Sequence, residues 1–381
     1  MSSSLANYTK QQLKAINATE SRVAVIAGVG TGKTHTIIGR VNKVLNDGAN
    51  PSKIVIVTLT NLAASVLKER LVVSGKGIKA GTLHSYINGI LYKHNLSPYK
   101  EIQTGNFSAI FNIFAQNHQY IEIPPIDYLF LDEAQDIDGL IYKTIRLLQA
   151  KNIWCVGDPL QSIYGFSGSE QYYVKNIVNN PNYTKYSLTI GFRCGGQILQ
   201  YAQKILHPFL INQSSLIISN KPNDGVVSKI KTLDFINYLK TIKDYSDWAI
   251  LCRSNNMLGK MQAILRQEKI PFISYKPSEL DYVEYNGFNE GNWLKLLTIH
   301  SSKGNEFKNV AVWGGNCSSM EESMVWYVGC TRCFHKLFIL KGSLVNYNLK
   351  VESKLKTLSF KILRQKPLKR IPKYHIKVDI P

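Results

Sequence analysis

VAVIAGVGTGKTHTIIGRVNKVL, residues Val23 to Leu45, decides the fold. Val23–Ile26 are apolar in succession and mostly free of polar interruption, the pattern of a strand buried on both faces. Ala27–Thr34 (AGVGTGKT) follow, and from Thr34 to Leu45 the apolar residues recur at helical spacing. Strand, Gly-rich loop, Lys, Thr and helix, in that order, make a phosphate-binding P-loop, with Ala27 where the general pattern has its first glycine. Gly28, Gly30 and Gly32 allow the backbone N–H groups of the loop, those of Val29 and Thr31 among them, to curl around phosphate oxygens. Lys33 is placed to reach the β- and γ-phosphates, and the Thr34 hydroxyl to bind Mg²⁺.

Outward from this loop the pattern repeats. Ile54–Thr58, Tyr128–Leu131, Ile153–Val156, Trp248–Cys252, Val310–Trp313 and Leu337–Leu340 read as further buried strands. Asn61–Leu71, Leu140–Leu148 and Gly195–Leu206 read as helices between them. Alternating strands and helices predict an α/β chain with mainly parallel sheets. The 381 residues suffice for two or three domains, and the turn-rich Asn179–Ser187 is expected to separate two α/β halves. At 44% hydrophobic and 19% charged, the chain is neither disordered nor fibrous. The N-terminal MSSSLANYTK lacks a signal-peptide core, no stretch has the apolar length of a membrane helix, and six cysteines in this length are no disulfide scaffold. A soluble intracellular protein of cytoplasm, nucleoid or host-cell compartment is expected, with no membrane partner.

Charge points to a polyanionic partner. Lys and Arg exceed Asp and Glu by 20, which predicts attraction to nucleic acid. From Lys336 to Pro381 twelve basic residues face only Glu352 and Asp379, half of the net charge. Paired acids supply the chemistry. The strand Tyr128–Leu131 runs into DEAQD, so Asp132 stands at a strand end, where a carboxylate holds Mg²⁺, and Glu133 follows as the group to polarise an attacking water. Cys330 and Cys333 form a single CxxC, too little for a zinc site.

Ten blocks in order carry a family resemblance: QLKAI (Gln12–Ile16), AGVGTGKT, TLTNLAA (Thr58–Ala64), GTLHS (Gly81–Ser85), DEAQD, VGDPLQSIYGFSG (Val156–Gly168), GFRC (Gly191–Cys194), AILCRSN (Ala249–Asn255), TIHSSKGNEF (Thr298–Phe307) and YVGCTR (Tyr327–Arg332). The chain resembles superfamily 1 helicases of the UvrD/Rep type from Gln12 to about Cys333. The resemblance implies two RecA-like P-loop NTPase domains, here 1–185 and 186–345, and ATP with Mg²⁺ as cofactors. Gln12 matches the glutamine that reads adenine, and Phe192 the aromatic that stacks on it. Arg193 and Arg332 match the two arginines that reach the γ-phosphate, Gln161 the γ-phosphate sensor beside Asp158, and Glu306 the acid at the ribose. Lys33, Glu133, Gln161, Arg193 and Arg332 are thereby the expected catalytic set. A planar multi-donor guanidinium suits such charge neutralisation.

The same resemblance lays a single-strand track along Thr58, Thr60 and Asn61, Thr82, His84 and Ser85, Tyr164 and Phe166, Arg253 and Asn255, and Thr298 and His300. Hydroxyls, amides and imidazoles bond phosphates, and aromatic faces stack on bases. Leu59 and Leu83 stand where the family has phenylalanine, Ser167 where it has arginine, Gly191 where it has asparagine, and Ser323 and Met324 where it has an arginine pair. The insertions at 86–126 and 256–295 are short for the family. The expected activity is an ATP-driven single-strand translocase and DNA helicase moving 3′→5′, of the kind that serves DNA replication and repair. The alternatives are an ATP-gated nucleic-acid clamp or remodelling subunit that unwinds weakly, a helicase acting on RNA, and an ATPase acting on protein. A protein partner would replace the reduced accessory parts.

The basic tail, 346–381, has a direct test. Removing residues 350–381 should flatten the dependence of log affinity for single strands on log salt, because fewer phosphates are then neutralised. A slope unchanged by truncation would make the tail a solvated appendage.

Overall fold

A computed structural model describes residues 8–71, 77–96, 98–103, 105–163, 174–208, 210, 216–274, 291–314 and 319–342. In chain order the strands are β1 (Arg22–Ala27), β2 (Ile54–Thr58), β3 (Lys79–Thr82), β4 (Tyr128–Leu131), β5 (Asn152–Gly157), β6 (Thr184–Leu188), β7 (Ile190–Gly191), β8 (Ile218–Ser219), β9 (Val226–Lys231), β10 (Trp248–Cys252), β11 (Phe272–Ile273), β12 (Leu294–Thr298), β13 (Phe307–Trp313) and β14 (Cys333–Lys341). The helices are α1 (Lys10–Ile16), α2 (Lys33–Asn46), α3 (Asn61–Leu71), α4 (Leu83–Lys93), α5 (Tyr99–Gln103), α6 (Ala109–Asn117), α7 (Gly139–Leu147), α8 (Gly196–Lys204), α9 (Thr232–Leu239), α10 (Asn255–Gln267) and α11 (Met320–Cys330).

Two six-stranded parallel sheets result, ordered β3-β2-β4-β5-β1-β6 and β11-β12-β10-β13-β14-β9. These are two RecA-like α/β layers. Within the first, alternate residues of the same apolar run serve opposite faces. Val23, Val25, Ile54, Ile56, Phe130 and Trp154 pack with α2 on one side. Ala24, Val55, Val57, Leu129, Leu131 and Cys155 pack with α4, α6 and α7 on the other. Helices on both faces explain why these strands are apolar at every position rather than at every second one.

The second sheet has its own core, built from Ala249, Leu251, Val310, Val312 and Leu337 against α8 and α11. Val29 of the phosphate loop, with Leu160 and Ile163 after β5, joins that same buried cluster. The first half therefore meets the second through apolar burial at the loop itself.

Asn179–Ser187 does not separate the halves as its turn-rich composition suggested. Thr184–Leu188 is β6, paired in parallel with β1 (Val25 opposite Tyr186), so the first sheet runs on to Leu188, past residue 185. As an edge strand it is apolar and buried only at Leu188, so Thr184 and Lys185 can be polar and exposed. Edge strands β3 (KAGT) and β9 (VVSKIK) are polar for the same reason and equally hard to see in sequence. All of this lies in one compact unit, Met1–Ser343. The basic tail at 346–381 lies outside the described residues, as do Tyr164 and Phe166.

Candidate active site

Parallel strands direct all their carboxyl ends to one edge, and ligands bind there because loops and helix N-termini converge on it. β1 delivers the phosphate loop to the start of α2. Gly30 (φ 67°) and Gly32 (φ 82°) take left-handed backbone conformations that a side chain would strain. Space is short as well: a Cβ on Gly30 would lie 2.6 Å from the Arg193 Cβ, and one on Gly32, at 2.7 Å from Gln12 Nε2, would push that amide aside. Thr31 Oγ1 donates to Gly28 O at 2.8 Å and closes the loop. Lys33 Nζ lies 3.4 Å from the carbonyls of Ala27 and Gly28.

Gln12 is buried beside this loop. Its Nε2 donates to Thr31 O at 3.0 Å, and its Oε1 accepts from Thr9 N at 2.8 Å in the capping box that starts α1. Phe192, 41% exposed, is tied to the loop by its backbone N–H, which donates to Gly30 O at 2.9 Å. Arg193 forms an ion pair with Glu306. The base-facing and ribose-facing candidates thus gather at the phosphate loop.

The acids sit at the end of β4. Thr34 Oγ1 donates to Asp132 Oδ2 at 3.3 Å, which places two hard oxygen donors side by side. That donor set fits Mg²⁺, which takes one or two protein oxygens and completes its shell with phosphate and water. Burial, then the neighbouring Glu133, pushes the Asp132 carboxyl up to about 7. Glu133 follows in a left-handed conformation (φ 54°), an uncommon one for a residue with a side chain. Burial opposes its charge, yet Lys33, Lys303, a hydrogen bond from Gln135 and Arg332 together hold it below the usual glutamate range. Two adjacent carboxyls are thereby driven apart, one toward the neutral form and one kept ionised and so able to accept a proton.

A chain of hydrogen bonds runs from Glu133 to the second half. Gln135 Nε2 donates to Glu133 Oε2 at 2.5 Å, and Gln135 Oε1 accepts from Asp158 N at 2.9 Å. Gln161 Nε2 donates to Asp158 Oδ2 at 2.6 Å, and Arg332 Nη2 donates to Gln161 Oε1 at 3.0 Å. Lys303 crosses beside it, bonding both Asp136 oxygens at 2.6 Å and Gln161 O at 2.8 Å.

The track candidates divide. Thr60 and Asn61 are exposed after β2, Thr82 and Ser85 cap α4 after β3, Asn255 is exposed at the start of α10, and Thr298 and His300 are half-buried after β12. All stand at the carboxyl edges of the sheets. Thr58 does not face solvent: it is 1% exposed and its hydroxyl is buried in β2 without a hydrogen bond. Arg253 is engaged by Glu322. Leu83 is 1% exposed and offers no stacking face. His84 lies against Phe111 at 4.5 Å and Phe107 at 6.4 Å between ring centroids, and burial lowers its pKa, so it acts as a neutral imidazole. Cys330 and Cys333 are buried, and burial pushes the Cys333 thiol up to about 12. No cluster of three metal-ligating side chains occurs among the described residues.

Several residues carry no legible signal beforehand. Gln135 lies within DEAQD and Lys303 within TIHSSKGNEF, and nothing in either stretch marks the partner that folding gives it. His35, stacked on Tyr8 at 4.3 Å beside the loop, and Phe107, 54% exposed next to His84, come from pairings that only the fold creates.

Comparisons with known proteins agree with this geometry. Residues 12–167 match the model of an AAA domain. The chain is 26% identical to a putative ATP-dependent DNA helicase of Acanthamoeba polyphaga mimivirus, over 88% of the chain and 53% of that protein. It is 23% identical to the Gabija protein GajB of Bacillus cereus (68% and 62%), and 22% identical to a probable DNA helicase of Mycoplasma pneumoniae (90% and 85%). The chain thus spans little more than half the length of the first of these. With the ordered motifs and the two RecA-like sheets, these matches support a likeness to helicases of the UvrD/Rep type. No helix among the described residues is long and apolar enough to cross a membrane.

The raised Asp132 predicts a trade of stability for function. A carboxyl whose folded pKa exceeds its unfolded value destabilises the fold at pH above the folded value, where it must ionise in place. At pH 8 Asp132→Asn should therefore raise the melting temperature of the nucleotide-free protein by a few degrees, about 2–4 °C per kcal/mol in a domain of this size. The same variant should abolish Mg²⁺-dependent ATP turnover. An unchanged or lower melting temperature would mean that Asp132 is not under electrostatic strain.

Proposed function

We propose that this chain is an ATP-driven motor on single-stranded DNA, a helicase that couples hydrolysis between two RecA-like halves to strand movement, in the 3′→5′ sense that its relatives' type implies. The observation that carries the reading is the bond from Arg332, just beyond α11 in the second half, to Gln161 in the first, which three further hydrogen bonds link through Asp158 and Gln135 to Glu133. A site completed from two halves responds to their closure, which is what coupling requires.

In the proposed reaction the loop from Ala27 to Thr34 cradles the phosphates, and Thr34 with Asp132 would hold Mg²⁺, which would neutralise phosphate charge. Glu133 takes the proton of a water that attacks the γ-phosphorus. The bond to the β–γ bridging oxygen breaks, and ADP leaves with the electron pair. Lys33, Arg193, Arg332 and Gln161 neutralise and orient the γ-phosphate, while Gln12 and Phe192 hold adenine and Glu306 the ribose. Arg193 exchanges Glu306 for phosphate as it engages. The functional domains on this reading are 1–185, extended by β6 to Leu188, and the segment up to 345.

A second reading, a nucleic-acid clamp or remodelling subunit with weak unwinding that relies on a protein partner, draws support from one observation. Leu83 is buried and Leu59 half-buried, so the first half lacks two stacking faces on its track.

ATP turnover with single-stranded DNA, duplex DNA and RNA, followed by displacement on duplexes tailed at either end, separates these. The motor predicts turnover stimulated most by single-stranded DNA and ATP-dependent displacement of 3′-tailed duplexes. Glu133→Gln should retain ATP binding while turnover falls 10²–10⁴-fold, the range for loss of a general base. Stimulated turnover without displacement would favour the clamp. Turnover indifferent to any polynucleotide would remove both.

A further inference from the structure

Arg253, at the carboxyl end of β10, is held side-on by one carboxylate. Its Nε donates to Glu322 Oε2 at 2.8 Å and to Oε1 at 3.1 Å, and its Nη2 donates to Oε1 at 2.5 Å. The side chains are 30% and 25% exposed, so the pair sits at the surface where Asn255, Thr298 and His300 also emerge. Hydrogen bonding within the pair pulls Glu322 below the usual glutamate range and raises Arg253, so both stay charged at neutral pH. Of these four track candidates only Arg253 carries a permanent charge, and an internal anion already answers it.

Glu322 lies in the first turn of α11, where Ser319 Oγ accepts its N–H at 3.1 Å. Arg332 lies just beyond the last turn of the same helix. At 1.5 Å per residue the helix spans about 15 Å between them. One rigid element therefore has a strand-side anion at its start and the γ-phosphate arginine candidate at its end.

We propose that Glu322 is an internal competitor for strand phosphate: it occupies Arg253 when no strand is bound, and a phosphodiester displaces it. The inference rests on the proposed strand track and adds a device to it. A guanidinium already in a bidentate charge-assisted pair must give up those bonds to take a phosphate, so Glu322 lowers, without cancelling, the net contribution of Arg253 to grip. A motor must release each phosphate as well as bind it, and a competitor at the contact makes release cheap. Displacement of Glu322 frees the start of α11 and reports strand occupancy along that helix to Arg332.

The test uses the full chain and a fluorescent (dT)₂₀ probe, with binding followed by anisotropy across a salt series. Glu322→Gln should bind several-fold tighter than wild type with the slope of log affinity against log salt unchanged, because Arg253 makes the same phosphate contact in both complexes. Arg253→Ala should bind more weakly with a slope shallower by about 0.7, the value for one phosphate contact on a single strand, and the double variant should match Arg253→Ala. Glu321→Gln, the same charge change one residue away on the exposed face, should leave the affinity unchanged. If Glu322→Gln melts early, Glu322→Asp, one methylene shorter, should give an intermediate tightening. Unchanged or weaker binding by Glu322→Gln, or equal tightening in the Arg253→Ala background, overturns the competitor. An Arg253→Ala that binds like wild type removes Arg253 from the track itself, so failure of the strand reading is told apart from failure of this inference.

Discussion

A guanidinium buried to 2% exposure constrains everything around it. It stays protonated in a protein, so it needs acceptors to answer a buried charge. Three of the five N–H groups of Arg332 have one, in Val328 O at 3.2 Å, Asn305 O at 3.5 Å and Gln161 Oε1 at 3.0 Å. Two of the three belong to its own half. The third belongs to the other sheet, so the charge is satisfied only while the two halves meet. An amide oxygen is a neutral acceptor, and a phosphate oxygen a stronger one. On the proposed function, the arriving γ-phosphate takes over from Gln161 and the contact that holds the halves becomes the contact that drives the reaction.

That junction is otherwise built from ordinary forces. Val29, Leu160 and Ile163 bury apolar surface against the second half, and Lys303 pairs with Asp136 with both side chains 8% exposed. Apolar burial supplies affinity without direction, while the charged bonds fix which residues face each other. The pair of adjacent acids then separates by environment alone. Asp132 is pushed toward neutrality by burial and its neighbour, and Glu133 is kept ionised by four cationic or donating groups. A metal ligand and a base differ here in surroundings, not in side-chain chemistry.

Buried parallel strands were the most legible part of the sequence, because helices on both faces force continuous apolar runs such as Ile54–Thr58 and Trp248–Cys252, which reappear unchanged as β2 and β10. Edge strands were not legible. β6 lies inside a stretch whose Asn and Pro residues read as a divider, since an edge needs burial on little of its length. The phosphate loop and the acids could be read from order and spacing. The polar chain through Gln135, the stack of Tyr8 on His35 and the engagement of Arg253 by Glu322 could not, because each joins residues that only folding brings together. Thr58 illustrates the converse: its place in a motif suggested a contact, but it ends a buried strand and its hydroxyl points inward.

The most direct measurement is steady-state ATP turnover of Arg332→Ala beside wild type, at saturating single-stranded DNA, with nucleotide affinity measured separately. The account predicts that kcat falls by about 10³-fold or more, as loss of an arginine that stabilises phosphoryl transfer does, while nucleotide affinity changes little. A variant with wild-type kcat and only a raised KM would contradict it, and Arg332 would then be no more than a tether between the two halves.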